Sequence, residues 1–151
     1  MMDETNPIKV ILVDDHSMVR RGLIAILKNE SDLEVIAEAR DGREAIEKCD
    51  ESQPDVILMD LIMPELGGVA ATRKILERWP DIRILVLTSF QEKDLVQEAL
   101  QAGATGYLLK NVSGEELADA IRSTFAGKPT LAKEAVNSLI QKDTADMGFH
   151  G

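Results

Sequence analysis

The 151-residue chain is predicted to be an α/β protein, with one parallel sheet covered on both faces by helices. Five short runs rich in Val, Ile and Leu carry that prediction: "KVILV", "LEVIAEA", "DVILMD", "IRILVLT" and "GYLLK". Each is bounded by Asp, Gly, Pro or Ser, as buried strands are. Segments with helical spacing follow every run, so strand and helix alternate throughout. Aromatics are only 3% of a chain that is 44% hydrophobic, so the core must be aliphatic.

The elements follow in order. After the first strand, Asp14 and Asp15 stand side by side. In "SMVRRGLIAILKN", Val19, Leu23, Ile26 and Leu27 share one helix face, and Arg20, Arg21 and Lys28 lie largely away from it. "LEVIAEA" is the second strand and "GREAIEKC" its helix. "DVILMD" ends in Asp60 and leads to the helical "GVAATRKILERW". "IRILVLT" ends in Thr88, with Ser89 next, and "DLVQEALQAG" closes on Gly103 as a helix stop. "GYLLK" ends in Lys110. "SGEELADAIRSTFAG" places Glu116 three residues after Ser113, the spacing of a capping box, and exits at Gly127. "KPTLAKEAVNSLIQK" predicts one further amphipathic helix, and "DTADMGFHG" has no pattern. The expected organisation is a tail over 1–8, a domain over 9–127, a linker helix over 128–142, and a disordered tail or vector-derived scar over 143–151.

Charge narrows the function. A formal net charge of −10 argues against direct contact with nucleic acid or anionic membrane, which need basic surface. The single cysteine, Cys49, cannot form an internal disulfide, so a reducing cytoplasm is expected. No signal peptide or membrane span is evident.

In a parallel sheet the polar residues ending the strands gather on one edge, where ligands bind. Asp14, Asp15, Asp60, Thr88 and Lys110 would therefore meet. Singly, each has an ordinary explanation as a cap, a turn residue or a solvent-reaching lysine; those explanations give no reason for the five to share an edge. Carboxylates about 4 Å apart repel by roughly 4 kcal/mol at an effective dielectric near 20, which a cation would relieve. Oxygen-only ligands suit Mg²⁺ better than Zn²⁺. One carboxylate could then act as nucleophile and form an aspartyl phosphate, with Thr88 and Lys110 holding phosphoryl oxygens. His16 is expected to be an exposed loop histidine.

At these residues the sequence resembles a response-regulator receiver domain, which accepts phosphate from a sensor histidine kinase. "VDDH", "LMDLIMPELGG", "LVLTS" and "GYLLK" match its motifs in order and spacing, over about Lys9 to Gly127. The resemblance implies a flavodoxin-like doubly wound five-stranded parallel sheet, strand order 2-1-3-4-5, with helices on both faces. It implies Asp60 as phosphoacceptor, and Asp14, Asp15, Asp60 and the main-chain carbonyl of Ile62 as Mg²⁺ ligands, with Mn²⁺ as a substitute. Asp15 would bind directly and Asp14 through water. Thr88 would be the switch hydroxyl, Lys110 the phosphate-binding lysine, and Tyr107 the aromatic that moves with Thr88. Ile62 and Phe90 would flank the approach of hydrolytic water, giving a long-lived phosphoryl state. Gly67 replaces a frequent Asp and should loosen the loop after Asp60. Asn111 replaces a common Pro; with "ERWPDIRILVLTSF" and "QAGATGYLLKN" it resembles the NarL/FixJ (LuxR-type) subfamily. That likeness implies phosphorylation-promoted homodimerisation through the first and fifth helices, where Ile24 could contribute. It also implies transcription regulation through a C-terminal helix-turn-helix DNA-binding domain that is missing from this chain. The expected protein is a signalling domain rather than an enzyme, assisting its own phosphorylation and slow dephosphorylation.

Three alternatives compete. A haloacid-dehalogenase-like Mg²⁺-dependent phosphatase also uses an Asp nucleophile, but in a D-x-D pattern after the first strand. A flavodoxin-like cofactor binder would need Gly, Ser or Thr where "DDHSM" stands. A receiver-like interaction module that is never phosphorylated would have no use for the full residue set.

Overall fold

The computed structural model describes residues 6–89 and 92–128. The elements run β1 (Ile8–Val13), α1 (Ser17–Leu27), β2 (Leu33–Ala39), α2 (Gly42–Glu51), β3 (Val56–Asp60), α3 (Gly68–Arg78), β4 (Arg83–Thr88), α4 (Lys93–Gln101), β5 (Gly106–Leu109) and α5 (Gly114–Phe125). Apart from Lys128, the predicted linker helix and tail lie outside the described residues. β1 begins at Ile8, one residue before the expected domain boundary.

All pairings are parallel, in the order β2-β1-β3-β4-β5. The chain leaves β1 to one side for β2 and returns past it to β3, so the reversal falls between β1 and β3. A crevice opens at the carboxyl ends of two such strands because their connections depart in opposite directions. Asp14 and Asp15 follow β1, and Asp60 ends β3. The topology thus carries the acidic residues to one place.

The strands alternate their side chains between two aliphatic cores. Ile11, Val13, Ile57, Met59, Ile84 and Val86 pack with Ala45 and Cys49 of α2, Ala71 and Ile75 of α3, and Val96 and Ala99 of α4. Val10, Leu12, Leu58, Leu85 and Leu87 pack with Leu27 of α1 and Leu117 and Ile121 of α5. Ile24, a candidate for a partner interface, lies against this second core with Leu23 and Ile26. β3 is buried along its whole length, whereas the edge strand β2 leaves Glu34 and Glu38 in solvent. Each fully buried Val, Leu or Ile contributes about 1.5–3 kcal/mol.

Local chemistry sets the element ends. Ser113 Oγ accepts from the Glu116 amide and the Glu116 carboxylate accepts from the Ser113 amide, the capping box read from the sequence. Gly103 ends α4 with φ +115°, a backbone that side chains with a Cβ rarely adopt. Gly68 is needed for closeness instead: a Cβ there would stand 2.3 Å from the Asp60 carbonyl oxygen. α3 is thereby tucked directly beneath the end of β3. Gly67, the N-cap of α3, offers no side-chain acceptor to the helix.

Candidate functional site

At the carboxyl edge, oxygens of Asp14, Asp15 and Asp60 and a ring nitrogen of His16 all lie within 4.8 Å of one another. Asp14 and Asp60 are buried, their side chains 3% and 2% exposed, while Asp15 is more open at 29%. The Asp14 Oδ1 atom accepts the His16 amide at 2.9 Å. His16 Nδ1 stands 3.1 Å from both Asp14 Oδ1 and Asp15 Oδ1, although the ring itself is largely solvent-exposed, as expected.

Lys110 closes the pocket from β5. Its amide donates to the Thr88 carbonyl at 2.8 Å, which fixes the end of β5 beside that of β4. Its ammonium reaches to 3.1 Å from Asp60 Oδ1 and 3.7 Å from Asp14 Oδ2. Asp14 Oδ2 is therefore buried without a hydrogen-bond donor among the described residues, and Asp60 Oδ1 has only the Lys110 ammonium.

The electrostatics are unbalanced. At an effective dielectric near 20, two unit charges about 5 Å apart repel by roughly 3 kcal/mol, and three carboxylates make three such pairs. One ammonium leaves the three carboxylates with a net negative charge. Burial, reinforced by the charge of Asp14, holds the Asp60 carboxyl above its ordinary range, with Lys110 pulling the other way. Burial lowers the Lys110 ammonium, but Asp60, then Asp14 and Glu92, outweigh it and hold the group above its usual value. A buried oxygen without a donor, among three carboxylates with net negative charge, fits a hard divalent cation.

Thr88 is buried at the end of β4, and its hydroxyl donates to Glu92 Oε2 at 2.6 Å. Tyr107, 2% exposed, sits inside the α2–α4 core, opposite Val86 in the pairing of β4 and β5. The family resemblance has Tyr107 moving with Thr88; in this structure the ring is inside the core. Ile62 is exposed beside the pocket, and Phe90 lies outside the described residues.

A family model described as the response regulator receiver domain matches residues 10–122. The chain belongs to that family. Among curated relatives, the transcriptional regulatory protein LiaR of Bacillus subtilis is 45% identical over 89% of this chain, and the response regulator protein VraR of Staphylococcus aureus 46% over 85%. The chain spans 64% and 62% of their respective lengths. A LuxR-family two-component response regulator from Aurantimonas sp. superposes with a TM-score of 0.86 at 33% identity, covering 92% of this chain and 99% of that one. The receiver domain of a NarL regulator from Mycobacterium tuberculosis gives 0.78 at 31% identity, covering 82% and 100%. This is a signalling receiver of the LuxR and NarL type, and the phosphatase alternative finds no support. Among the described residues no helix of the receiver is long and apolar enough to cross a membrane.

Two residues of the receiver's pocket escaped sequence reasoning. Arg20 of α1 donates to the Asp14 carbonyl at 2.6 Å and pairs with Glu38 of β2, holding the loop that presents the acidic pair. Glu92 takes the Thr88 hydroxyl; its only sequence signal is the S-x-x-E spacing of "SFQE". Cys49 is unrelated to the site: burial pushes its thiol up to about 12, which makes it inert.

Proposed function

We propose that Asp60 is the phosphoacceptor of this receiver, with a sensor histidine kinase as donor. The observation that carries this is the placement of Asp60, buried at the end of β3, between the acidic pair after β1 and the ammonium of Lys110. A carboxylate oxygen of Asp60 forms a P–O bond as the P–N bond of the donor phosphohistidine breaks. Lys110 steadies the negative charge on the transferring group through a preorganised contact. Asp14, Asp15, Asp60 and the Ile62 carbonyl would hold Mg²⁺, or Mn²⁺ in its place. When bound, the ion supplies charge neutralisation to the carboxylates and the incoming phosphoryl oxygens.

The phosphoryl group adds about two negative charges and three acceptor oxygens. Thr88 turns its hydroxyl to one of them, and the β4–α4 turn follows. Tyr107, buried on β5, moves with Thr88. Homodimerisation through α1 and α5 and control of a C-terminal DNA-binding domain are the output, in keeping with relatives named as transcriptional regulators. The protein works in the cytoplasm. Ile62 and Phe90 carry no carboxylate or amide to orient a water, so the phosphoryl state is long-lived. An Ile62→Asn variant should lose its phosphate faster than the native protein; slower loss would contradict this.

Intact-mass measurement after incubation with acetyl phosphate and Mg²⁺ tests the assignment. One phosphoryl adduct is expected on the native protein and none on Asp60→Asn. No adduct on either, or equal labelling of both, would remove Asp60 from the role.

A further inference from the structure

Glu92 has no part in the phosphoryl transfer described above, yet its carboxylate holds the donors at the end of β4. Its Oε2 accepts from the Thr88 hydroxyl at 2.6 Å, and its Oε1 accepts from Ser89 Oγ at 3.1 Å. The Ser89 amide points to the same Oε2 at 3.5 Å. The first distance lies in the short range of hydroxyl-to-carboxylate bonds, which are roughly twice as strong as neutral ones. A half-buried glutamate just ahead of α4 thus collects three donors at the end of β4, the strand that pairs with β3 and places Leu87 opposite Asp60.

We infer that Glu92 is a positioning residue for the phosphoryl transfer: a resident anion that occupies the donors of Thr88 and Ser89 until an oxyanion on Asp60 displaces it. The inference rests on the reading of Asp60 as acceptor and Thr88 as switch hydroxyl. A hydroxyl carries one proton, so Thr88 can donate to Glu92 or to a phosphoryl oxygen, not to both. Both acceptors are anionic, so the exchange trades one charge-assisted bond for another. The net gain from binding the oxyanion is therefore smaller than it would be with Thr88 facing water. Glu92 lowers the site's affinity for anions and keeps the β4–α4 turn in its unphosphorylated arrangement. Its charge also reaches the pocket, adding to the repulsion on Asp60 and to the attraction on Lys110. On displacement, the residue released is the one immediately before α4, so the event at Asp60 passes directly to that helix.

Beryllofluoride with Mg²⁺, a phosphoryl mimic, provides the test, its half-saturating concentration being followed by NMR of the Thr88 and Ser89 amides. Glu92→Ala should lower that concentration by about tenfold, the scale of one charge-assisted hydrogen bond. Glu92→Gln should move it in the same direction by less, because an amide oxygen still accepts the Thr88 proton without the charge. In a Thr88→Val background, Glu92→Ala should gain only about threefold or less, from the remaining Ser89 donors and screened repulsion. Unchanged affinity in both Glu92 variants, or an equal gain in the native and Thr88→Val backgrounds, would overturn the inference. Should Glu92→Ala fail to fold, Glu92→Gln decides on its own. Failure of the underlying reading looks different: the native protein would not bind beryllofluoride, or Asp60→Asn would bind it equally well, and the role of Glu92 would fall with it.

Discussion

The molecule carries two clusters of three carboxylates around one cation, at opposite edges of its sheet. On the edge where β2 begins, Arg122 of α5 reaches Glu30 at 2.5 Å, Asp32 at 2.7 Å and Asp119 at 2.9 Å. On the other edge, Lys110 faces Asp14, Asp15 and Asp60. The charge count is the same, but the physics is not. Around Arg122 each acid is met by a guanidinium donor and is open to water. The hydrogen bond from Arg122 holds Asp32 below the ordinary carboxylate range despite some burial. Around Lys110 two acids are buried, an Asp14 oxygen lacks a donor among the described residues, and Asp60 is pushed upward. The first cluster is complete as it stands and ties α5 to the α1–β2 turn. The second is left short of positive charge. Burial and missing donors distinguish a site from a staple; the number of charges does not.

Removing the two cations should separate the clusters most sharply. Lys110→Ala should slow labelling by acetyl phosphate about 100-fold or more, the scale for losing one preorganised charge contact at a transferring group. Arg122→Ala should leave labelling within about twofold and cost about 1 kcal/mol of stability or less, since its pairs are solvent-screened. Equal losses of labelling in both variants would erase the distinction.

A smaller effect concerns pH. Because the folded protein raises Asp60 above its ordinary value of 3.8, the folded state holds that proton more tightly than the unfolded chain. The resulting stabilisation is fully present below the unfolded value and is lost as pH rises through the folded one. In chelator, Asp60→Asn should therefore melt higher than the native protein near neutral pH, by a few degrees. The gap should narrow on acidification through the titration of Asp60. A gap that widens toward acid would mean that Asp60 is stabilised by its surroundings as an anion.

Much of this was legible in the sequence because strands end where their apolar runs end. Asp60, Thr88 and Lys110 are terminal residues of such runs, and a parallel sheet alone brings them to one edge. Strand order, and with it the placing of Asp14 beside Asp60, came from family resemblance and not from periodicity. Glu92 was hidden because it meets Thr88 through the path of a turn, and its S-x-x-E pattern suggests a cap that α4, starting at Lys93, does not form. The need for Gly68 under the Asp60 carbonyl is a matter of backbone approach that no side-chain pattern records. Ile24 stands outside the Val19, Leu23, Ile26 and Leu27 face read from the sequence, yet it packs partly against the second core.

The central claim is that Asp14, Asp15 and Asp60 form an acidic pocket that needs a cation, and the thermal midpoint against Mg²⁺ tests it most directly. Near neutral pH the native protein should show a saturable rise of about 3 °C or more, the scale of 1 kcal/mol in a domain of this size. In Asp60→Asn and Asp15→Asn the rise should be much smaller. A native midpoint indifferent to Mg²⁺, or an equal rise in all three proteins, would contradict the account.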